Sequence, residues 1–157
     1  DIQDLNRIDV LLGKIGLDIH RKRRETAPAW LPLDQILPIH PIDREEARET
    51  MLRRAAAVAE NRDHINAQGK VSREFLHQFL PSVSDIKVVD LGEGQFVSFE
   101  GNGRLAALKE GLDKGATLPV EVERYSLDAK DRKRLRRRID KVRRRNGLGP
   151  LPPNGSE

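Results

Sequence analysis

Five consecutive residues, Glu100-Gly101-Asn102-Gly103-Arg104, place a carboxylate, two glycines, an amide and a guanidinium between the alternating segment Phe96-Val97-Ser98-Phe99 and the small apolar run Leu105-Ala106-Ala107-Leu108. The first segment reads as a strand and the second as a helix, so the five residues lie on a strand-to-helix turn. Glycines let a backbone approach a ligand closely, and the first N–H groups of a helix carry partial positive charge, so a phosphate fits there. Arg104 adds a permanent cation with a planar donor fork. The same residues also suit a plain strand-to-helix turn.

A second chemistry is written in charge. Residues 130–145 hold eleven Lys/Arg and two Asp, a net of plus nine, which leaves minus five for the rest of a chain whose total is plus four. Arg132, Lys133, Arg134, Arg136, Arg137, Arg138, Lys141, Arg143, Arg144 and Arg145 surround a thin apolar stripe of Leu135, Ile139 and Val142. A helix of this kind docks by its stripe and offers its other faces to a polyanion. Counterion release then makes binding salt-dependent and largely indifferent to sequence. DNA, gripped by its backbone phosphates, is the expected partner, with a solvated helix or an acidic protein as alternatives. A membrane surface fits poorly, because the stripe has no aromatic or broad apolar face to insert. Trp30 and Tyr125 are the only large amphipathic aromatics, too few for base stacking to dominate.

Composition removes other classes. With no Cys among 157 residues there is no disulfide, thiolate metal site or thiol nucleophile. His20, His40, His64 and His77 are scattered, without zinc-pair spacing. No apolar run approaches the roughly 20 residues that span a bilayer, and Asp1-Ile2-Gln3-Asp4 lacks the plan of a signal peptide, so a cytoplasmic location is expected.

The elements that must position these residues follow from periodicity and punctuation. Leu5, Ile8, Leu12, Ile15 and Ile19 predict an N-terminal helical arm within residues 1–28, weakened by Gly13 and Gly16 and ended by a basic run before Pro28. Trp30-Leu31-Pro32-Leu33 predicts a short edge strand and Asp34 to Pro38 a turn. Asp43 with Glu46 predicts a capped helix start, carried by Ala47, Met51, Ala55 and Val58 to about Glu60. Ser72 predicts the cap of a short helix that Pro81 stops. Ile86 to Leu91 and Gln95 to Phe99 predict a hairpin about Gly92-Glu93-Gly94. A helix over 104–111, a strand over 119–125 and a basic helix over 127–145 follow, and the Gly- and Pro-rich tail 146–157 is expected to be disordered. The class expected is α+β: a small mixed sheet flanked by helices.

Residues 29–126 resemble the ParB/sulfiredoxin superfamily, in which a strand enters a Gly-x-x-Arg turn at the head of a helix rich in small residues. The pattern here is Gly101-Asn102-Gly103-Arg104 before Leu105-Ala106-Ala107-Leu108, with Leu31 to Pro38 similar to the opening strand and turn and Leu118-Pro119-Val120-Glu121-Val122 to the closing strand. The resemblance implies that Gly101, Asn102, Gly103 and Arg104 contact the phosphates of ATP or another nucleotide. Glu100 is then the nearest carboxylate, able to hold Mg²⁺ or orient a water, and with Arg104 it is the candidate catalytic residue. Its alternative role is to favour a helix N-terminus by charge alone, and Asp90 and Glu93 are weaker candidates. Asn102 stands where sulfiredoxins carry Cys, which excludes repair of oxidised peroxiredoxin. Gly103 replaces the second Arg usual in partition proteins, and only about thirty residues follow the closing strand. What the resemblance leaves is an ATPase, a metal-dependent DNase or a small-molecule kinase, with a plasmid factor of DNA transfer or partition, and a protein partner from such a system, as the expected setting. A non-catalytic DNA- or protein-binding module is the alternative.

Overall fold

The computed structural model describes residues 2–82 and 84–151, with side chains described from Arg7 onward. A helix α1 (Ile2–Lys22) leads into the strand β1 (Glu25–Pro32), a 3-10 turn (Leu33–Gln35) and the short strand β2 (Ile36–Pro38). Three helices follow, α2 (Glu45–Glu60), α3 (Arg62–Gln68) and α4 (Arg73–Phe79). Then come β3 (Lys87–Asp90), β4 (Phe96–Glu100), α5 (Asn102–Gly111), β5 (Pro119–Ser126) and α6 (Ala129–Arg145). The five strands form one mixed sheet in the order β1-β5-β3-β4-β2. The pairs β1/β5 and β3/β4 are antiparallel, while β3/β5 and β2/β4 are parallel. The α+β arrangement of a mixed sheet flanked by helices is therefore the observed one.

Alternation along the strands builds two cores. Val88, Val120 and Val122 point to one face, where Val58, Ile65, Phe75, Leu76, Leu105 and Leu108 of α2 to α5 cover them. Val89, Val97 and Tyr125 point to the other, under Ile15 and Ile19 of α1 and Leu135, Ile139 and Val142 of α6. His20, Phe99 and Tyr125 meet edge to face there, with ring centroids 5.0 to 5.9 Å apart. The stripe read on the basic helix thus docks on the sheet, and α1 lies in the same layer.

Several boundaries differ from the sequence reading. β1 starts at Glu25, upstream of Pro28, because an edge strand tolerates a residue that cannot donate to a ladder. Residues 36–38 form a strand beside β4 rather than a turn. Asp43 does not cap α2: Arg44 is the N-cap residue, without a side-chain cap, and Glu45 and Glu46 supply the first-turn charge. Ser72 does cap α4, its Oγ accepting the Phe75 N–H at 3.0 Å. The two-turn α3, anchored by Ile65 alone and closed by Gly69 at φ +69°, has too little apolar periodicity to be read in sequence. Of the tail expected to be disordered, Asn146 to Leu151 folds back: Leu151 is buried, and its N–H donates to Asp140 Oδ1 at 2.7 Å. Residues 152–157 lie outside the described residues.

The edge strand β2 would expose its carbonyls to a foreign strand. Two cations cover them. Lys109 Nζ donates to Ile36 O at 2.7 Å, and the Arg143 guanidinium donates to Pro38 O and to Gly149 O. Burial lowers the pKa of both cations, each surrounded by too little water to solvate it fully.

α5 packs on α2 with almost no space between backbones. A β-carbon at Gly111 would stand 2.6 Å from both Ala55 O and Val58 Cβ, whereas one at Gly13 in α1 would meet nothing within 4 Å. Gly111→Ala is expected to lower the unfolding free energy by about 1–3 kcal/mol through overpacking. Gly13→Ala should raise it by roughly 0.5–1 kcal/mol through helix propensity. Urea denaturation of both variants tests the pair, and equal effects would contradict the packing.

Candidate phosphate turn and basic helix face

At the end of β4 the chain reverses through Gly101, whose φ of +89° is the left-handed conformation that glycine adopts without cost. Space requires glycine as well: a β-carbon there would lie 2.9 Å from Ile86 Cγ1 and 3.1 Å from Ile86 Cα. Helix α5 starts at once with Asn102, two residues before the expected Arg104. The turn predicted from sequence is present, but its side chains divide between inside and outside.

Asn102 points inward. Its Oδ1 accepts from Ser98 Oγ at 2.6 Å and from the Ile39 N–H at 3.3 Å, so the amide ties α5 to β4 and to the residue after β2. Arg104 is only 3% exposed and donates from Nη2 to Ser84 O at 2.7 Å. Desolvation lowers its pKa, nearby Arg54 adds to the effect, and Asp85 and Glu100 oppose it. Arg104 also borders a cavity of about 160 Å³ walled in part by Arg73, His77 and Asp85. In that wall Asp85 Oδ1 lies 2.8 Å from Arg73 Nε and 3.3 Å from His77 Nε2.

The outward part of the turn is the helix end itself. No side chain caps α5 at its N-terminus, and its first turn contains no acid. Cations gather there instead. Arg54 of α2 lies with Nη1 3.4 Å from where a β-carbon on Gly103 would stand, and its Nη2 makes a long 3.4 Å contact with Pro81 O. Lys87 Nζ is 3.3 Å from Glu100 Oε2. A helix N-terminus disfavours cations, so Arg54 and Arg104 add to the positive end of α5, and Glu100 and Asp85 offset part of that charge. Arg54 is the residue that sequence reasoning missed. It stands about fifty positions from the turn, and only the packing of α2 on α5 brings it there.

Glu100 has one oxygen shut away from water. Oε2 makes no hydrogen bond and has only the ion-pair contact with Lys87, too poorly aligned to count as one. The lysine therefore already fills the cation position, and among the described residues no three His, Asp or Glu side chains converge as a metal-holding group. Lys87 would have to leave Glu100 before that carboxylate could hold a divalent cation together with a ligand's phosphates.

On α6 the ten predicted nucleic-acid residues also divide. Arg132 donates to Leu127 O at 2.9 Å, Arg136 to Gln95 Oε1, Arg138 to Asp18 Oδ2, and Arg143 to the β2 edge. These four hold the fold together. Lys133, Arg134, Arg137, Lys141, Arg144 and Arg145 are exposed, and Lys130 joins them. At about 100° per residue the seven fall within an arc of roughly 120°, on the side of α6 away from Leu135 and Ile139. Asp131 and Asp140 flank the arc, and of the seven only Arg144 pairs with an acid among the described residues, at 3.2 Å from Asp140 Oδ2.

Replacing Arg104 leaves Ser84 O without its partner in a part-buried position and removes a side chain that is almost wholly buried. Arg104→Ala is therefore expected to cost about 1–3 kcal/mol of stability, while Arg54→Ala should stay within roughly 0.5 kcal/mol, as for a side chain at the surface. Thermal and urea unfolding of the two variants checks this, and an Arg104→Ala protein as stable as the parent would show that the guanidinium is not part of the core. Comparisons with protein-family models, with curated proteins and with solved structures found no match for this chain.

Proposed function

We propose that this chain binds nucleic acid through the outward face of α6 and holds a nucleotide phosphate at the head of α5, as a domain of ParB/sulfiredoxin type. The observation that carries the proposal is the division of charge on α6. Seven exposed cations occupy one arc with no acid inside it, while the cations the fold needs point elsewhere. Like charges crowded on one face repel, and a polyanion relieves that repulsion while releasing its counterions. From Lys130 to Arg145 the face runs about 22 Å, enough to follow several successive backbone phosphates.

The nucleotide part of the proposal rests on the uncapped α5 terminus beside Arg54. In this reading Arg54 is the cation within reach of a ligand, and Arg104 shapes the turn from beneath. DNA is the first polyanion to test, in keeping with a plasmid factor of DNA transfer or partition. Hydrolysis of ATP or of DNA is the further step of the same proposal: Glu100 orients water once Lys87 has swung from it to the phosphates. A second reading, a binding module without turnover, is favoured by the burial of Asn102 and Arg104 and by the Lys87–Glu100 pair. Turnover of labelled ATP by the parent and by Glu100→Gln separates the two. No helix among the described residues is long and apolar enough to cross a membrane.

Because Leu135, Ile139 and Val142 belong to the core, α6 cannot be deleted cleanly, and point substitutions are the right probe. If about five of the seven cations reach phosphates, log K should fall with log salt at a slope of about −4.5. Arg137 and Lys141 straddle the middle of the arc and are the pair to reverse. Arg137→Glu with Lys141→Glu should flatten the slope by about 2 and leave unfolding nearly unchanged. Arg54→Ala should weaken ATP binding by about tenfold without altering that slope. A double variant that keeps the parental slope would reject α6 as the interface.

A further inference from the structure

At one end of the sheet the last residues of β3 and β5, the first of β1 and the start of α6 enclose a depression of about 430 Å³. Arg24, Glu25, Asp90, Arg124, Ser126, Leu127 and Arg132 line it. Three arginines line it from three parts of the chain: Arg124 leaves the sheet on the face of Val120 and Val122, Arg132 comes from α6 on the other face, and Arg24 stands just before β1. This is a separate place from the α5 turn and from the outward arc of α6.

Backbone register fixes the cluster. Glu25 is opposite Ser126 in the β1/β5 ladder, Asp90 is opposite Ser126 in the β3/β5 ladder, and the Arg24 N–H extends the first ladder by donating to Ser126 O at 2.7 Å. Arg124 precedes Ser126 by two, so both side chains leave the same face of the sheet. Arg132 reaches in from α6 and is anchored by its bond to Leu127 O. A β-carbon on Gly92 would come 3.4 Å from Arg132 Nε, so the glycine that makes the hairpin turn also leaves room for this side chain.

The hydrogen-bonding capacity of the cluster is mostly unspent. Among the described residues Arg24 makes no side-chain hydrogen bond, Arg132 donates one to a carbonyl, and Arg124 donates to Ser126 Oγ at 3.3 Å. A guanidinium has five N–H donors. Two acids stand against them. Asp90 is largely spoken for, with Oδ1 accepting the Gly92 N–H at 2.8 Å and Oδ2 3.8 Å from Arg124 Nε. Glu25 is exposed and free to turn to solvent. Asp128, close enough to feel Arg24, is occupied as the cap of α6, and its carboxyl is held below the usual range chiefly by the Asp131 N–H. The three cations outnumber the two lining carboxylates, and the Ser126 hydroxyl keeps its proton free to donate.

We propose that this depression is a binding site for a single phosphoryl group, held by the forks of Arg24, Arg124 and Arg132 with the Ser126 hydroxyl as a further donor. Planar forks suit tetrahedral oxyanions because each can give two parallel bonds to two oxygens. The group belongs either to a free phosphate or nucleotide or to the end of a nucleic acid, and the chemistry recognised is the same.

The experiment uses the full chain labelled with ¹⁵N and titrated with inorganic phosphate, following the Gly92, Ser126 and Leu127 amides. Saturable shifts at these amides are expected, weakened about tenfold in Arg24→Gln and in Arg124→Gln. Arg24→Gln is the decisive variant, since its side chain holds no hydrogen bond that the fold would lose. The Arg137→Glu and Lys141→Glu double variant should bind phosphate like the parent, so a failure of the α6 interface is distinguishable from a failure of this site. Competition by a 5′-phosphorylated oligonucleotide but not its 5′-hydroxyl counterpart assigns the site to nucleic-acid ends. Competition by a mononucleotide and by neither oligonucleotide assigns it to free phosphates. Amides that do not move, or that move equally in the parent and in both arginine variants, would overturn the proposal.

Discussion

The reversal at Gly101 is the constraint on which the arrangement rests. β4 must end and α5 must begin within one residue, at a place where the Ile86 backbone leaves no room for a side chain. Once the chain has turned, Asn102 falls beneath α5 and joins Ser98 to the Ile39 amide, so one side chain fastens a helix, a central strand and the exit of the edge strand. A buried amide so satisfied is worth more for geometry than for net stability, because an unpaired polar atom in that position would be costly. The helix that leaves the turn then packs on α2 through Gly111, and that contact carries Arg54 to the α5 terminus. The local conformation of one glycine thereby decides which cation, from a distant part of the chain, stands beside the helix head.

Charge in this protein has two separate uses. Arg104, Lys109 and Arg143 are partly desolvated and spend their donors on backbone carbonyls that would otherwise lie bare: Ser84 on the loop before β3, and Ile36 and Pro38 on the sheet edge. Burial lowers the pKa of all three, which is the electrostatic cost of that service. The exposed arc of α6 is the opposite case: well-hydrated cations, each cheap to keep in water and weak in its effect on the fold. Net charge does not distinguish the two populations; only the direction of each side chain does.

The parts legible in sequence were those with a local signal. The hairpin about Gly92-Glu93-Gly94 was readable because its glycines are available for positive φ; both adopt it, and Glu93 does so as well, which its residue type does not announce. β5 alternates plainly, Ser72 announces the α4 cap, and the stripe of Leu135, Ile139 and Val142 shows where α6 docks. The turn at 101–104 was legible as a turn. What its side chains do was not, because Asn102 and Arg104 find their partners at Ile39 and Ser84, and no local pattern encodes contacts across such separations. β2 was missed for a related reason: three residues carry no periodicity of their own, and the strand exists only because β4 lies beside it.

The basic segment illustrates how far a one-dimensional reading extends. Eleven cations in the sixteen residues 130–145 suggest coverage on every side, but a helix gives each position a fixed bearing, about 100° from the last. Positions 132, 136 and 143 all lie within roughly 40° of one another on the flank facing the hairpin and β2, and position 138 faces α1. Those bearings place Arg132, Arg136, Arg138 and Arg143 beside Leu127, Gln95, Asp18 and Pro38, and each finds an acceptor there. The helical period alone, counted from the apolar stripe, separates cations flanking the dock from cations opposite it. It cannot say that acceptors wait on the flanks, since these come from α1, the hairpin and β2. Periodicity therefore assigns direction, tertiary structure assigns occupation, and a surface available to a partner is what remains after both have been applied.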